Sequence, residues 1–110
     1  MPRPSTLARE LSPTAGAELQ RLGADIGAAI KVRENYQDFA DRIGVSRATV
    51  RKIVNGDPGV SLGTFVGALD ALGLLDHLRG VAAPERDSLG QSLRLQPKRT
   101  DVGFSMDRDF

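Results

Sequence analysis

Apolar residues recur at three- and four-residue spacing from Leu19 through Leu22, Ile26, Ala29 and Ile30. That period lines one face of a helix. Ser12-Pro13 supplies its start, with Ser as N-cap and Pro in the first turn, and the pattern ends near Arg33. Asn35 is the next N-cap. The spacing predicts a second helix over about Tyr36–Ile43 that buries Phe39, Ala40 and Ile43. Gly44 suits the left-handed conformation that ends such a helix. Ser46 then caps a third helix, running to about Val54 with Val50, Ile53 and Val54 inward. Asn55-Gly56-Asp57-Pro58-Gly59 is dense in turn formers. Ser61 caps a fourth helix, with Leu62, Phe65, Val66, Leu69 and Leu72 facing the core and Gly73 breaking it. A short fifth helix is expected near Leu74–Ala82, carrying Leu75 and Leu78. Pro84 stops the periodic part.

Residues 12–82 show no strand pattern and no internal repeat. The reading is all-α: a mobile arm over residues 1–11, a five-helix domain over 12–83, and a C-terminal tail over 84–110. Ser88–Pro97 reads as a short helix or a strand. Lys98–Phe110 has no period and is expected to order only on binding. Gly63, Gly67 and Ala71 stand four apart on the fourth helix. They suit either a dimer seam or internal packing against the first helix, and internal packing is the favoured reading. Gly23 and Gly27 form a similar pair on the first helix, weakening it by about 1 kcal/mol each relative to Ala.

With 110 residues there is room for one compact domain plus tails. Aromatic residues are 5% of the chain, so the core must be aliphatic. There is no cysteine, which excludes disulfides and thiolate metal sites. No apolar run approaches a membrane span, and Met1-Pro2-Arg3-Pro4 lacks a secretory core. A soluble cytoplasmic protein is expected. The net charge of +1 conceals an asymmetry. Residues 20–56 carry seven Lys/Arg against four Asp/Glu, whereas 57–90 carry two against five. Positive charge thus gathers on the half that holds the second and third helices, which suits nucleic acid as a partner and equally an ordinary solvated helical surface. His77 is the only histidine, and no neighbour suggests a metal. No nucleophile–base spacing and no phosphate-cradling glycine loop accompanies the serines and acids. Neither an enzyme nor a cofactor is expected.

Two short helices joined by a tight turn over Asp38–Gly56 have the form of a helix-turn-helix, whose second helix enters the major groove. The requirements are met in order. Gly44 makes the turn, Val45 plugs the angle, Ala40 is small where the helices cross, and Ile43, Val50 and Ile53 hold the second helix in place. Arg47, Ala48, Thr49, Arg51 and Lys52 are then the candidate base-reading residues. Arg47 can donate two hydrogen bonds to guanine, while Ala48 and the Thr49 methyl suit a thymine methyl. Arg33, Tyr36, Gln37, Ser46 and Asn55 lie near helix ends, where phosphate contacts are common.

Ile43–Val50 through Asn55-Gly56 resembles the DNA-binding core of Xre/Cro-type, lambda-repressor-like proteins. Gly56–Thr64, Ala68–Asp76, Arg86–Gly90 and Pro97-Lys98-Arg99 are similar to a HipB-like subgroup, antitoxins encoded beside HipA-type kinase toxins. The resemblance covers roughly residues 12–100. It implies a homodimer that represses its own operon from an inverted-repeat operator in double-stranded DNA and that also binds the HipA-type kinase toxin. The chain departs from the family at three places. Tyr36 stands where the family usually has a phosphate-contacting Gln, with Gln37 one place late. Ile30 and Val32, and also Gly27, occupy positions where basic residues are frequent. The tail is less basic. Leu89, Leu93, Leu95, Phe104, Met106 and Phe110 are apolar residues a small core need not use, so the tail binds a partner or extends the dimer. The alternative is a stand-alone or phage-type regulator without a toxin.

Overall fold

The computed structural model describes residues 11–96. Most of the expected arm, and tail positions Phe104, Met106 and Phe110, lie outside the described residues. The chain divides into two compact units, one up to Asp76 and one from His77. The division falls ahead of the boundary expected at Pro84.

The first unit contains four α-helices: α1 (Pro13–Lys31), α2 (Tyr36–Ile43), α3 (Arg47–Val54) and α4 (Leu62–Ala71). Each starts on the expected residue. The side chains of Ser12, Asn35, Ser46 and Ser61 accept hydrogen bonds from the backbone N–H three residues on, at 2.8–3.1 Å. Such a cap satisfies a donor the helix itself cannot, and is worth about 1 kcal/mol. The helix ends are equally local. Gly44 adopts φ +76°, the Gly44 N–H donates to Asp41 O and the Val45 N–H to Ala40 O. This Schellman arrangement reverses the chain in three residues and fixes the angle at which α3 leaves α2.

α3 packs against α1 and α2, and α2 also meets α4. The core is Ile26 and Ile30 from α1, Phe39 and Ala40 from α2, Val50 and Ile53 from α3, and Ala68, Leu69 and Leu72 from α4 and its cap. Phe39, the one aromatic among them, is fully buried. Ile43, Val54, Phe65 and Val66 are only half-buried. Leu62 departs from expectation outright, at 74% exposed. It is the first residue of α4, and its Cα–Cβ bond leans toward the N-terminus, past the end of the helix and away from the core.

The glycines of α1 have a role the periodicity does not reveal. A Cβ on Gly23 would stand 2.6 Å from the carbonyl oxygens of Ile53 and Val54. One on Gly56 would stand 2.7 Å from the Gln20 Cα. The backbones of α1 and the C-terminal end of α3 therefore touch directly. Gly63 and Gly67 on α4 behave oppositely: no atom lies within 4 Å of a Cβ at either place. Internal packing is not what those two small residues serve.

The fifth helix expected over Leu74–Ala82 does not form as drawn. The Gly73 and Leu74 N–H groups close the end of α4, and only a four-residue 3-10 turn, Leu75–Leu78, follows. Leu75 and Val81 are exposed and Gly80 interrupts the run, so there is too little apolar burial to hold a second turn. The fifth α-helix of the described residues is instead α5 (Ser88–Arg94), within the second unit. Asp87 caps it, its Oδ1 accepting from the Gly90 N–H at 2.9 Å. This resolves Ser88–Pro97 in favour of a helix. No helix among the described residues is long and apolar enough to cross a membrane. The described residues are all-helical, with no strand among them.

Gly23→Ala is expected to lower stability by about 1–3 kcal/mol despite the better helix propensity of Ala, because the neighbouring atoms are backbone. Gly16→Ala, which meets nothing within 4 Å, is expected to raise stability by about 0.5–1 kcal/mol. Urea unfolding of the two variants checks the opposite signs.

Candidate nucleic-acid interface

α3 presents two chemically distinct faces. Val50 and Ile53 are buried, and their burial orients an eight-residue helix with little stability of its own. The opposite side carries Arg47, Ala48, Arg51 and Lys52, all exposed. The ion pairs among the described residues are Arg21 with Glu18 and Asp25, and Arg42 with Glu34. None involves Arg47, Arg51 or Lys52. With no acid between Ser46 and Gly56, these three cations stand without neutralisation on one face.

Thr49 is half-buried and held at the edge of this face. The Ser46 Oγ accepts the Thr49 N–H at 3.0 Å and also lies 3.0 Å from the Thr49 Oγ1. The cap therefore orders the threonine side chain as well as the helix start. In this arrangement the Ser46 hydroxyl both caps α3 and positions Thr49. Asn55 is exposed at the C-terminal cap of α3, away from the helix start.

The remaining phosphate candidates separate on their contacts. Gln37 is exposed on the first turn of α2, and its amide donates to the Asp41 carboxylate at 3.0 Å. Tyr36 is half-buried and turned back toward α1. Its hydroxyl lies 3.1 Å from where a Gly27 Cβ would be, and the Lys31 ammonium sits 5.7 Å from its ring centre. The Val54 Cγ1 is nearer still, 2.8 Å from that point, so Gly27 leaves room for both side chains.

Arg33 is exposed, with its guanidinium folded back onto two helix ends. Its guanidinium donates to Ala29 O at 2.8 Å and Leu72 O at 3.2 Å. Those carbonyls end α1 and α4, where no helical N–H remains to pair with them. Arg42 acts similarly, donating to Ala71 O at 3.1 Å and to Glu34 at 2.6 Å, with its guanidinium 5.5 Å from the Phe39 ring centre. Arg33 and Arg42 tie helix ends together. The sequence signal that distinguishes Arg33 is its place two residues past the last turn of α1.

Residues 31–77 match the family model described as helix-turn-helix. The match supports the resemblance of that segment to the Xre/Cro-type helix-turn-helix. The segment spans α2, the turn, α3 and α4. The match supports a DNA-binding role in transcription regulation for this segment. Searches of curated proteins and of solved structures found no match. Among the described residues no group of three His, Cys, Asp or Glu is placed to hold a metal ion.

Arg33→Ala should lower folding stability by about 1 kcal/mol, since two helix-end carbonyls lose a charged donor. The slope of log affinity against log salt for duplex DNA should stay unchanged. A slope shallower by about one unit would instead make Arg33 a phosphate contact.

Proposed function

We propose that the protein is a sequence-specific repressor that binds an inverted repeat in its own promoter as a homodimer, and that it is the antitoxin of a HipA-type kinase toxin. The DNA half rests chiefly on one observation: Arg47, Arg51 and Lys52 share the exposed face of α3 without an acidic partner. Cations left unneutralised beside a turn of this type suit a surface of phosphate and base edges. Arg47, Ala48 and Thr49 at the helix start read bases, together with Arg51 and Lys52. Gln37 and Ser46, at the starts of α2 and α3, take phosphate. Two protomers place their α3 helices in successive major grooves, about 34–36 Å apart.

The antitoxin half is supported by the resemblance of Gly56–Thr64 and of the segments beyond it to HipB-like proteins. It is supported also by exposed Leu89, Leu93 and Leu95 in the second unit, apolar residues available to a partner. A stand-alone regulator would need none of them. A kinase-like gene beside this one favours the antitoxin reading, and its absence favours the stand-alone regulator.

Arg47→Ala is expected to weaken binding to a duplex from the chain's own upstream region by roughly 1–3 kcal/mol and to relax preference at one base pair. Competition binding against single-base variants of that duplex measures both. Unchanged affinity with unchanged preference would remove Arg47 from the reading set.

A further inference from the structure

Asn55-Gly56 stands where α3 ends against α1. An asparagine followed by glycine is open to attack on its own side chain, because no Cβ on the second residue shields the backbone nitrogen between them. The chain has two asparagines, and only Asn55 precedes a glycine. Asn55 is exposed, at φ −83° and ψ −2° as the C-cap of α3. Gly56 is the reverse, buried at φ +71°. Its N–H donates to Ile53 O at 3.0 Å, and its nitrogen lies 2.7 Å from the point a Gly23 Cβ would occupy. The Gln20 Cα and Leu19 O lie 2.7 and 2.8 Å from the Cβ point of Gly56 itself. A reactive amide thus faces solvent while the nitrogen that would attack it is clamped to the backbone of α1.

We propose that Asn55-Gly56 is a self-modification site held shut by the α1–α3 contact: a chain in which that contact opens converts Asn55 to aspartate and isoaspartate, and a closed chain does not. The Gly56 nitrogen gives its proton to water or hydroxide and attacks the Asn55 Cγ. The new N–Cγ bond closes a five-membered succinimide, the Cγ–Nδ2 bond breaks, and the side-chain nitrogen leaves as ammonia. Water then opens the ring. Opening at Cγ gives aspartate, and opening at the Asn55 backbone carbonyl gives isoaspartate, with one more CH2 in the main chain. The ring needs the Asn55 Cβ and the Gly56 nitrogen to eclipse one another about the Cα–C bond. At ψ −2° the Gly56 nitrogen instead eclipses the Asn55 nitrogen. Reaching the ring takes a turn about that bond, which parts the Gly56 N–H from Ile53 O and lifts Gly56 off α1. The same contact decides the fate of the product. No side chain separates the two backbones, so an added CH2 between Asn55 and Gly56 has no space to occupy. A chain that has opened and reacted does not restore the seat of α3.

The test is incubation of the full chain at mildly alkaline pH, folded and in denaturing urea, with peptide mapping by mass spectrometry to place amide loss and isoaspartate. Asn55 is expected to lose its amide in urea, and to do so roughly tenfold or more slowly in the folded chain. Gly23→Ala, whose Cβ pushes on the Gly56 nitrogen and the carbonyls beside it, should raise the rate without urea, while Gly16→Ala should not. Asn55→Gln has no five-membered ring to form and should stay unmodified at residue 55 in both conditions. The isoaspartate form, separated and diluted from urea, should regain less helical content by circular dichroism than the unmodified chain. Amide loss at equal rates with and without urea, or none in either, overturns the proposal. So does a Gly23→Ala rate equal to that of the unsubstituted chain. An isoaspartate form that refolds fully contradicts the claim that the crossing rejects it.

Discussion

α3 is eight residues long and carries three cations on one side, so neither length nor charge holds it together. What holds it is contact between backbones. Gly23 of α1 lies against the last carbonyls of α3, and Gly56 just beyond α3 lies against Gln20. No side chain intervenes, so the distance between α1 and α3 admits almost no adjustment. Val50 and Ile53 complete the fit by filling the angle between α1 and α2. The outward face of α3 can then consist wholly of polar and small residues, because the inward face and the two glycines supply its orientation.

The same crossing organises the rest of the first unit. α2 is set by its Asn35 cap and the Gly44 turn, and α4 follows through the turn after Gly56. Arg33 and Arg42 join the ends of these elements by bonding carbonyls that the helices leave unpaired. The positive charges of this small domain divide into two kinds. Arg33 and Arg42 are consumed in tying helix ends, whereas Arg47, Arg51 and Lys52 remain open. Net charge cannot distinguish them, and only their contacts do.

Much of this was legible in the chain. Four N-caps, the Gly44 turn, and the inward set Phe39, Ala40, Val50 and Ile53 follow from local chemistry and a 3.6-residue period, and the fold class with them. What was not legible depends on three-dimensional neighbours. Leu62 matches the period of α4, but at the first position of the helix the period overruns the core. Leu74–Ala82 has apolar residues in step but nothing to bury them against, and the chain makes a single 3-10 turn. Gly23 and Gly27 look like weaknesses of α1 until their neighbours appear, for one a carbonyl pair and for the other the Val54 and Tyr36 side chains. Within the candidate interface, Arg47, Ala48, Arg51 and Lys52 lie together as their spacing implies. Arg33 folds back onto helix-end carbonyls and Tyr36 turns toward α1, since proximity to a helix end does not specify which way a long side chain points.

The central claim is that the face of α3 bearing Arg47, Ala48, Thr49, Arg51 and Lys52 is the surface that meets DNA. Nitrogen-15 chemical-shift mapping of the full chain, titrated with a duplex from its own upstream region, tests this directly. The account predicts the largest changes from Ser46 to Lys52 and at Gln37, with small changes in α4 beyond its first turn. Changes centred on α4 or α5, with α3 undisturbed, would contradict it.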